Sequence, residues 1–352
     1  MRDLLRRVRV VPLTIFLHAN LMFHHEAAVS LEAREEEMAG EDDADPWDAV
    51  TTDRVEGKGE ALRATRDLPR GARLLRVAPL FAVPYAAELT RLCGGCFQPR
   101  GAVCASCRSA RLCSRCGAGA AGTLHRLECH ALTRLRDGEE GLTLAHSDLR
   151  LLLRALAVRS LRRAVDAGGD PAAIAAAEDG DVIVDGYDAL EGLMSGVDGG
   201  DDGELSHDAV ATIAEVAKQA RFLLAPSCRC SMDECVRTLG RLQLNGFEMT
   251  ASEPEEGSSG GGGGGGHRPV GVGVFPSASY TNHSCAPNCA QRFDAHGCIV
   301  VETARDVRGG EELTIPYVDV RLRKRERRER LRKNFAFDCA CERCAAEADE
   351  PG

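Results

Sequence analysis

Asn282-His283-Ser284-Cys285-Ala286-Pro287-Asn288-Cys289 is the stretch on which the reading of this chain turns. It has a counterpart near the end of the chain, Cys339-x-Cys341-x2-Cys344. Three thiolates at that spacing suit Zn2+, which takes four sulfur or nitrogen ligands in a tetrahedron, so a fourth must come from elsewhere. Cys285 and Cys289 are the candidates. Zinc bound this way contributes about 10–16 kcal/mol of apparent binding energy in small peptides, and that energy becomes folding energy. Such a site could pin a tail that has little core of its own. Moving outward, short β segments are expected at Val270–Phe275, Cys298–Glu302 and Glu312–Ile315. Residues 251–268, with seven consecutive glycines, read as a flexible loop, and no Gly-Lys-Ser/Thr follows to make it a phosphate loop.

The chain holds 16 cysteines in 352 residues, too many for an ordinary cytosolic enzyme and too dilute for a disulfide miniprotein. Three C-x2-C pairs, Cys93/Cys96, Cys104/Cys107 and Cys113/Cys116, fall within 24 residues, and His125 and Cys129 follow as H-x3-C. Eight such ligands make two closed zinc sites. A disulfide framework is the rival, but a bridge within C-x2-C is a redox arrangement rather than a structural staple. Cys228, Cys230 and Cys235 have metal-like spacing. Ser231 and Glu234, however, form a capping box that opens a helix running toward Gly246, which puts Cys235 in a first helical turn and favours free thiols.

Net charge is −10, so the chain as a whole is no polycationic nucleic-acid binder. Apolar residues make up 44%, enough for a packed core, and aromatics only 4%, so each Tyr and Phe is informative. Residues 1–50 look like a separable, disordered leader. Its basic start resembles a transit peptide, but acidic residues through Asp45 argue against a long one, and the run Val10–Phe16 is too short to span a bilayer. Leu62–Tyr85 is strand-like with a Pro-Arg-Gly turn at 69–71. Helices are expected from Ser147, as cap, through about Val165, and over about 208–224 and 232–245. Arg321–Lys333 carries nine basic and two acidic residues. We read it as a solvated helix with neighbouring ion pairs rather than a nucleic-acid surface.

Three further motifs converge with the terminal cysteines: Gly57-Lys58-Gly59, Asn282-His283-Ser284-Cys285 and Gly310-Glu311-Glu312-Leu313-Thr314-Ile315-Pro316-Tyr317. Together they resemble the SET-domain protein lysine methyltransferases, and the cysteine segment between them resembles a MYND finger. A SET domain split by such a finger is the arrangement of the SET-and-MYND family, and the resemblance covers about residues 55–345. It implies a mostly β SET core (α+β) with a helical insert, an inserted MYND-type zinc finger and a zinc-bound post-SET tail. The expected order is leader 1–50, first SET part 51–90, finger 91–130, helical insert 131–250, glycine-rich loop 251–269, catalytic SET part 270–320, and basic helix with post-SET tail 321–352.

The resemblance implies S-adenosylmethionine as cofactor and a lysine amine of histone or non-histone protein as substrate. By similarity Gly57, Lys58 and Gly59 turn against the cofactor's methionine end, Asn282 and His283 line it, and Phe337 stacks on the adenine. Asn245 and Phe247 flank the lysine channel, and Tyr317 is the active-site tyrosine. The finger's ligands should interleave, Cys93, Cys96, Cys113 and Cys116 on one zinc and Cys104, Cys107, His125 and Cys129 on the other. Cys285 should join Cys339, Cys341 and Cys344 on a third, so all three zincs are structural. The finger is a place for a peptide partner, and a non-catalytic interaction scaffold is the alternative function. A reducing compartment, nucleus or cytosol, suits free thiolates.

Overall fold

The computed structural model describes residues 46–55, 58–138, 143–168, 182–197, 204–252 and 267–348. Gly57, residues 1–45 of the leader and most of the glycine-rich loop therefore lie outside the described residues. Residues 46–49 make a helical turn, and Ala49 and Val50 are buried beside Leu62 and Ala64. Their apolar side chains belong to the core.

Strand β1 (Val50–Val55) pairs antiparallel with β2 (Gly59–Ala64), Val50 opposite Ala64. Only Val50 of β1 is buried, so the strand carries no alternating pattern and escaped the sequence reading. After the turn at Gly71, whose φ of +85° favours glycine, come β3 (Arg73–Val77) and β4 (Phe81–Pro84). The finger adds β5 (Ala102–Val103), β6 (Arg111–Leu112), α1 (Ser114–Ala118) and α2 (Ala120–Arg136). Helix α2 carries His125 and Cys129 one turn apart and then continues into the insert, so the expected boundary at 130 falls inside a single helix.

Helices α3 (Ser147–Asp166), α4 (Tyr187–Glu191), α5 (His207–Leu223) and α6 (Met232–Asn245) form the insert. Ser147 is the first helical residue of α3 rather than its cap. His146 takes the cap position, with no side-chain hydrogen bond to the helix start. Leu149, Leu151, Leu152, Leu153, Ala155 and Leu156 of α3 are all buried, so this helix is the centre of the larger core. Among the described residues no helix is long and apolar enough to cross a membrane.

The second half returns to strands: β7 (Gly246–Ser252), β8 (His267–Val274), β9 (Asn282–His283), β10 (Cys289–Phe293), β11 (Ile299–Thr303) and β12 (Thr314–Ile315), with a short helix α7 (Pro276–Ser279) after β8. They make two three-stranded antiparallel sheets, β4-β8-β7 and β10-β11-β3. Strand β8 is central, and a Cβ on Gly271 would stand 2.5 Å from the Val83 carbonyl, so the sheet closes only on glycine there. Residues from both sides of the finger thus share one core, with Leu62, Leu75 and Val77 against Phe275, Ile299 and Leu313. Helices α8 (Lys324–Phe335) and α9 (Glu342–Ala346) close the described chain over a small core of Val318, Leu331 and three cysteines.

Candidate functional site

The parallel pair β9 and β12 aligns Thr314 with Asn282 and Ile315 with His283. Asn288 locks them, its Oδ1 accepting from the Thr314 amide at 2.8 Å and its Nδ2 donating to the Glu312 carbonyl at 2.9 Å. This lock delivers Tyr317 to the end of a cleft bounded also by Leu244, Asn245, Phe247, Glu248, Gln291, Pro316 and Phe335. The Tyr317 hydroxyl donates to the Thr281 carbonyl at 2.9 Å. Its proton is thereby committed, and the oxygen's remaining lone pairs are acceptors. Burial, with the Glu312 carboxylate a lesser cause, raises its pKa above that of a free phenol, so the group stays neutral.

Aromatic rings pack around the Tyr317 ring. Phe335 lies 4.8 Å from the Tyr317 ring and Phe337 6.4 Å, edge-on. Ala336 between them adopts a left-handed conformation, φ +58°, which ends α8 and brings both flanking rings toward Tyr317. Phe247 packs edge-to-face on Phe275 at 5.8 Å. Asn245, the last residue of α6, donates to the Arg241 and Met194 carbonyls, tying the helix end to the 194–197 loop. Among the described residues Glu248 is the one charged residue bounding the cleft. Burial pushes its carboxyl up to about 7, against the Tyr85 hydroxyl that donates to it at 3.1 Å.

Lys58, Asn282 and Glu312 meet beside β9. Lys58 Nζ lies 2.6 Å from one Glu312 oxygen, and Asn282 Nδ2 donates to the other at 3.1 Å. Gly59 has φ +76° with open space where a side chain would stand, a conformation that favours glycine. Gly57 lies outside the described residues. His283 is buried and engaged at both nitrogens: Nδ1 accepts from the Tyr317 amide at 3.0 Å, and Nε2 is 3.3 Å from Cys285 Sγ. Since Nδ1 accepts, the proton of the neutral ring is on Nε2, directed at that sulfur.

The cysteines gather into three tetrads: Cys93, Cys96, Cys113 and Cys116; Cys104, Cys107, His125 and Cys129; Cys285, Cys339, Cys341 and Cys344. In each, all donor atoms lie within 4.8 Å of one another. A zinc tetrahedron with Zn–S bonds of about 2.3 Å has edges of about 3.8 Å. The sulfurs of Cys104 and Cys129 are 3.9 Å apart, those of Cys285 and Cys339 3.9 Å, and those of Cys285 and Cys344 3.5 Å. His125 turns Nε2 toward the tetrad, 3.9 Å from Cys107 Sγ, and its Nδ1 is buried without a hydrogen-bond partner. Donor chemistry and spacing therefore fit Zn2+. Within the tetrads the thiols divide: a hydrogen bond from the neighbouring thiol of Cys285 leads in lowering Cys339 to about 3 and the Cys116 amide leads in lowering Cys113 to about 7, while burial raises Cys107, Cys116, Cys129 and Cys344. Cys289 stands apart on β10, its thiol pushed up to about 12 by burial.

Three functional groups had escaped the sequence. Phe335 packs on the Tyr317 ring, the Thr281 carbonyl accepts from its hydroxyl, and Arg327 is buried against the third tetrad, with Nε donating to Cys285 Sγ at 3.2 Å. Scarcity of aromatics was a signal available for Phe335. Arg327 was hidden among eight other basic residues of its segment.

The SET domain family model matches residues 59–318, well over half of the chain. Among curated proteins, histone-lysine N-methyltransferase ASHR1 of Arabidopsis thaliana is 26% identical over 290 residues, 82% of this chain and 53% of the relative. Mouse histone-lysine N-methyltransferase Smyd1 is 24% identical over 311 residues, 82% of this chain and 54% of the relative. Human histone-lysine N-methyltransferase SMYD3 is 45% identical over a shorter 78 residues, 22% of this chain and 18% of the relative. The chain thus spans about half the length of the long-matching relatives. With the split core, the locked 282–288 motif and these matches in agreement, the chain belongs to the SET-domain family and is of its SET-and-MYND type.

Proposed function

We propose that this protein is an S-adenosylmethionine-dependent protein-lysine N-methyltransferase acting on histone or non-histone protein, with three structural zinc ions. The observation that carries the reading is the cleft. It has aromatic walls, a neutral phenol oxygen fixed as an acceptor at one end, and a single carboxyl, Glu248, on its lining. That combination suits a long aliphatic stem ending in a cation. Bound S-adenosylmethionine supplies an electrophilic methyl group on a sulfonium. Lys58, Gly59, Asn282 and His283 would hold it on one side and Phe337 would offer its ring to the adenine.

The chain's own part is to make the amine a nucleophile and aim it. A lysine amine has an ordinary pKa of about 10.4 and must lose its proton before it reacts. Burial between Phe247, Tyr317 and Phe335 disfavours the ammonium form and lowers that value. The Tyr317 oxygen then accepts from the amine and orients its lone pair along the cleft. The residues of the first two tetrads form the MYND-type finger, which also offers a site for a peptide partner, and those of the third the post-SET tail. The third tetrad supports the cleft directly, since His283 bridges Cys285 to the Tyr317 amide. Reduced thiols suit the nucleus or cytosol.

Labelled-methyl transfer to histones and to cell extract tests this. Wild-type protein should incorporate label, and Tyr317→Phe, which keeps the ring but removes the hydroxyl, should lose about 10²-fold or more in rate. Wild-type protein that binds no S-adenosylmethionine by calorimetry would overturn the enzyme reading and leave a scaffold. Elemental analysis should give three zincs per chain, two of them lost when residues 93–129 are deleted.

A further inference from the structure

Outside the three tetrads, the described residues hold a further pair of sulfurs in contact. Cys230 and Cys235 lie with Sγ atoms 3.0 Å apart at the start of α6. Their positions explain it. Ser231 is the N-cap, its hydroxyl accepting from the Glu234 amide at 3.1 Å, so Cys230 precedes the cap and Cys235 is the fourth helical residue. Those two positions are where a hydrophobic staple normally joins two apolar side chains across a helix start. Here both are thiols. Cys235 is fully buried in the larger core, while Cys230 packs against that core and keeps partial exposure.

A metal does not account for the pair. The separation is shorter than the edge of a zinc tetrahedron, about 3.8 Å, and neither residue belongs to a cluster of three or more donors. What two thiols in contact can do is join, and a disulfide needs both sulfurs to close on each other from this distance with little backbone movement. The environment is also asymmetric. The contact with Cys235 lowers the pKa of Cys230 against a smaller opposing effect of burial, with Arg159 and Arg221 assisting and Glu234 opposing. The exposed member is therefore the better nucleophile and the buried member the resolving thiol.

We infer that Cys230 and Cys235 are a peroxide-responsive dithiol that converts the staple at the start of α6 into a disulfide. The Cys230 thiolate attacks one oxygen of hydrogen peroxide. The O–O bond breaks, giving a sulfenic acid and hydroxide. The Cys235 proton neutralises that hydroxide to water, and the Cys235 thiolate then attacks the sulfenic sulfur. The S–O bond breaks, and the second oxygen leaves as water once protonated by the proton that Cys230 first gave up. Two thiols are oxidised by two electrons and one peroxide is reduced to two waters. The bond fixes the first turn of the helix whose last residues, Leu244 and Asn245, bound the cleft.

The experiment uses the full-length, zinc-loaded chain treated with hydrogen peroxide, with zinc release followed by a chromogenic chelator. The protein is then denatured, alkylated and digested with trypsin. Arg229 and Arg237 make Cys230–Arg237 a single peptide, and Arg221 and Arg229 place Cys228 on another. The expected result is a 230–237 peptide two hydrogens lighter and unalkylated, formed before zinc is released and restored by dithiothreitol. Cys235→Ser should instead leave Cys230 as a sulfenic acid that dimedone traps, in a protein that still folds because serine is nearly isosteric. A doubly alkylated 230–237 peptide after peroxide, a crosslink to the 222–229 peptide, or zinc loss preceding the change would each overturn the proposal.

Discussion

Replacing Arg327 should weaken zinc binding by the third tetrad and leave the first two tetrads untouched. The side chain is 1% exposed, an unusual place for a guanidinium. Nε donates to Cys285 Sγ at 3.2 Å, Nη2 reaches Cys344 Sγ at 3.8 Å and Glu347 at 2.5 Å, and Nη1 donates to the Leu322 carbonyl at 2.5 Å. Burial alone would lower its pKa, but Glu347, Cys285 and Cys344 more than compensate and the net shift is upward, so it is charged throughout. Four thiolates around Zn2+ leave the centre two charges negative, and this buried cation offsets one of them out of reach of salt screening. A hydrogen bond to a charged group contributes about 1.5–3 kcal/mol, and removing an outer partner of a metal ligand typically costs about 10–100-fold in affinity. Arg327→Gln keeps side-chain donors but not the charge, and should weaken the third site by that factor, with Arg327→Lys falling between. The assay is competition with a graded series of zinc chelators, read by elemental analysis, with the two finger sites as internal standard. Folded Arg327→Gln protein holding its third zinc as tightly as wild type would refute the reasoning.

Cys285→Ala should lose one zinc of three, whereas Cys289→Ala should keep all three and cost only about 1 kcal/mol of stability from a small core deletion; elemental analysis and thermal melts separate them. Glu248→Gln should raise the Kd of a lysine peptide about fivefold. With the Glu248 carboxyl titrating at about 7, the wild-type Kd should fall as pH rises from 6 to 8, and calorimetry on the variant should show no such trend. Asp148, buried with Oδ2 unpartnered, is raised to about 7, first by burial. Its folded pKa lies above the unfolded value, so the stability linked to its proton is full below about 4 and is lost as pH rises through about 7. At about 1.4 kcal/mol per pH unit this reaches up to about 4 kcal/mol. Asp148→Asn should therefore melt at a higher temperature than wild type at pH 8, and a variant with an unchanged melting profile across pH 5–8 would contradict the assignment.

Local chemistry was legible in the sequence because it is written at fixed spacings. C-x2-C pairs, the N-cap at Ser231 and the glycine turn at 69–71 each need only neighbouring residues, and the helices over 207–223 and 232–245 stand within a residue or two of where their periodicity places them. The interleaving of the finger's ligands could not be read from spacing, and came only from resemblance. Strand β1 was illegible because its middle faces water and its pairing is with β2. Arg327 was illegible for the opposite reason. Composition counts it with its charged neighbours, while the fold turns one position of α8 inward, beside Leu331 and Asn334. A charge run is a solvated face only on average, and three-dimensional register decides which member is the exception.

That exception bears on how the cleft is held. The terminal tetrad contributes little area, yet it sits one side chain away from the phenol at the end of the cleft: Cys285 contacts His283 Nε2, and His283 Nδ1 accepts from the Tyr317 amide. The ring can bridge both only as the Nε2–H tautomer, and a thiolate at Cys285 favours that tautomer because it is the stronger acceptor. A metal would hold the thiolate, the thiolate would orient the imidazole, and the imidazole fixes the backbone from which the Tyr317 hydroxyl is aimed. Loss of the tail's zinc should therefore reach the cleft through hydrogen bonds even where α8 and the two sheets stay folded. Chelation that strips only the third zinc should lower methyl transfer while leaving most of the far-ultraviolet circular dichroism in place.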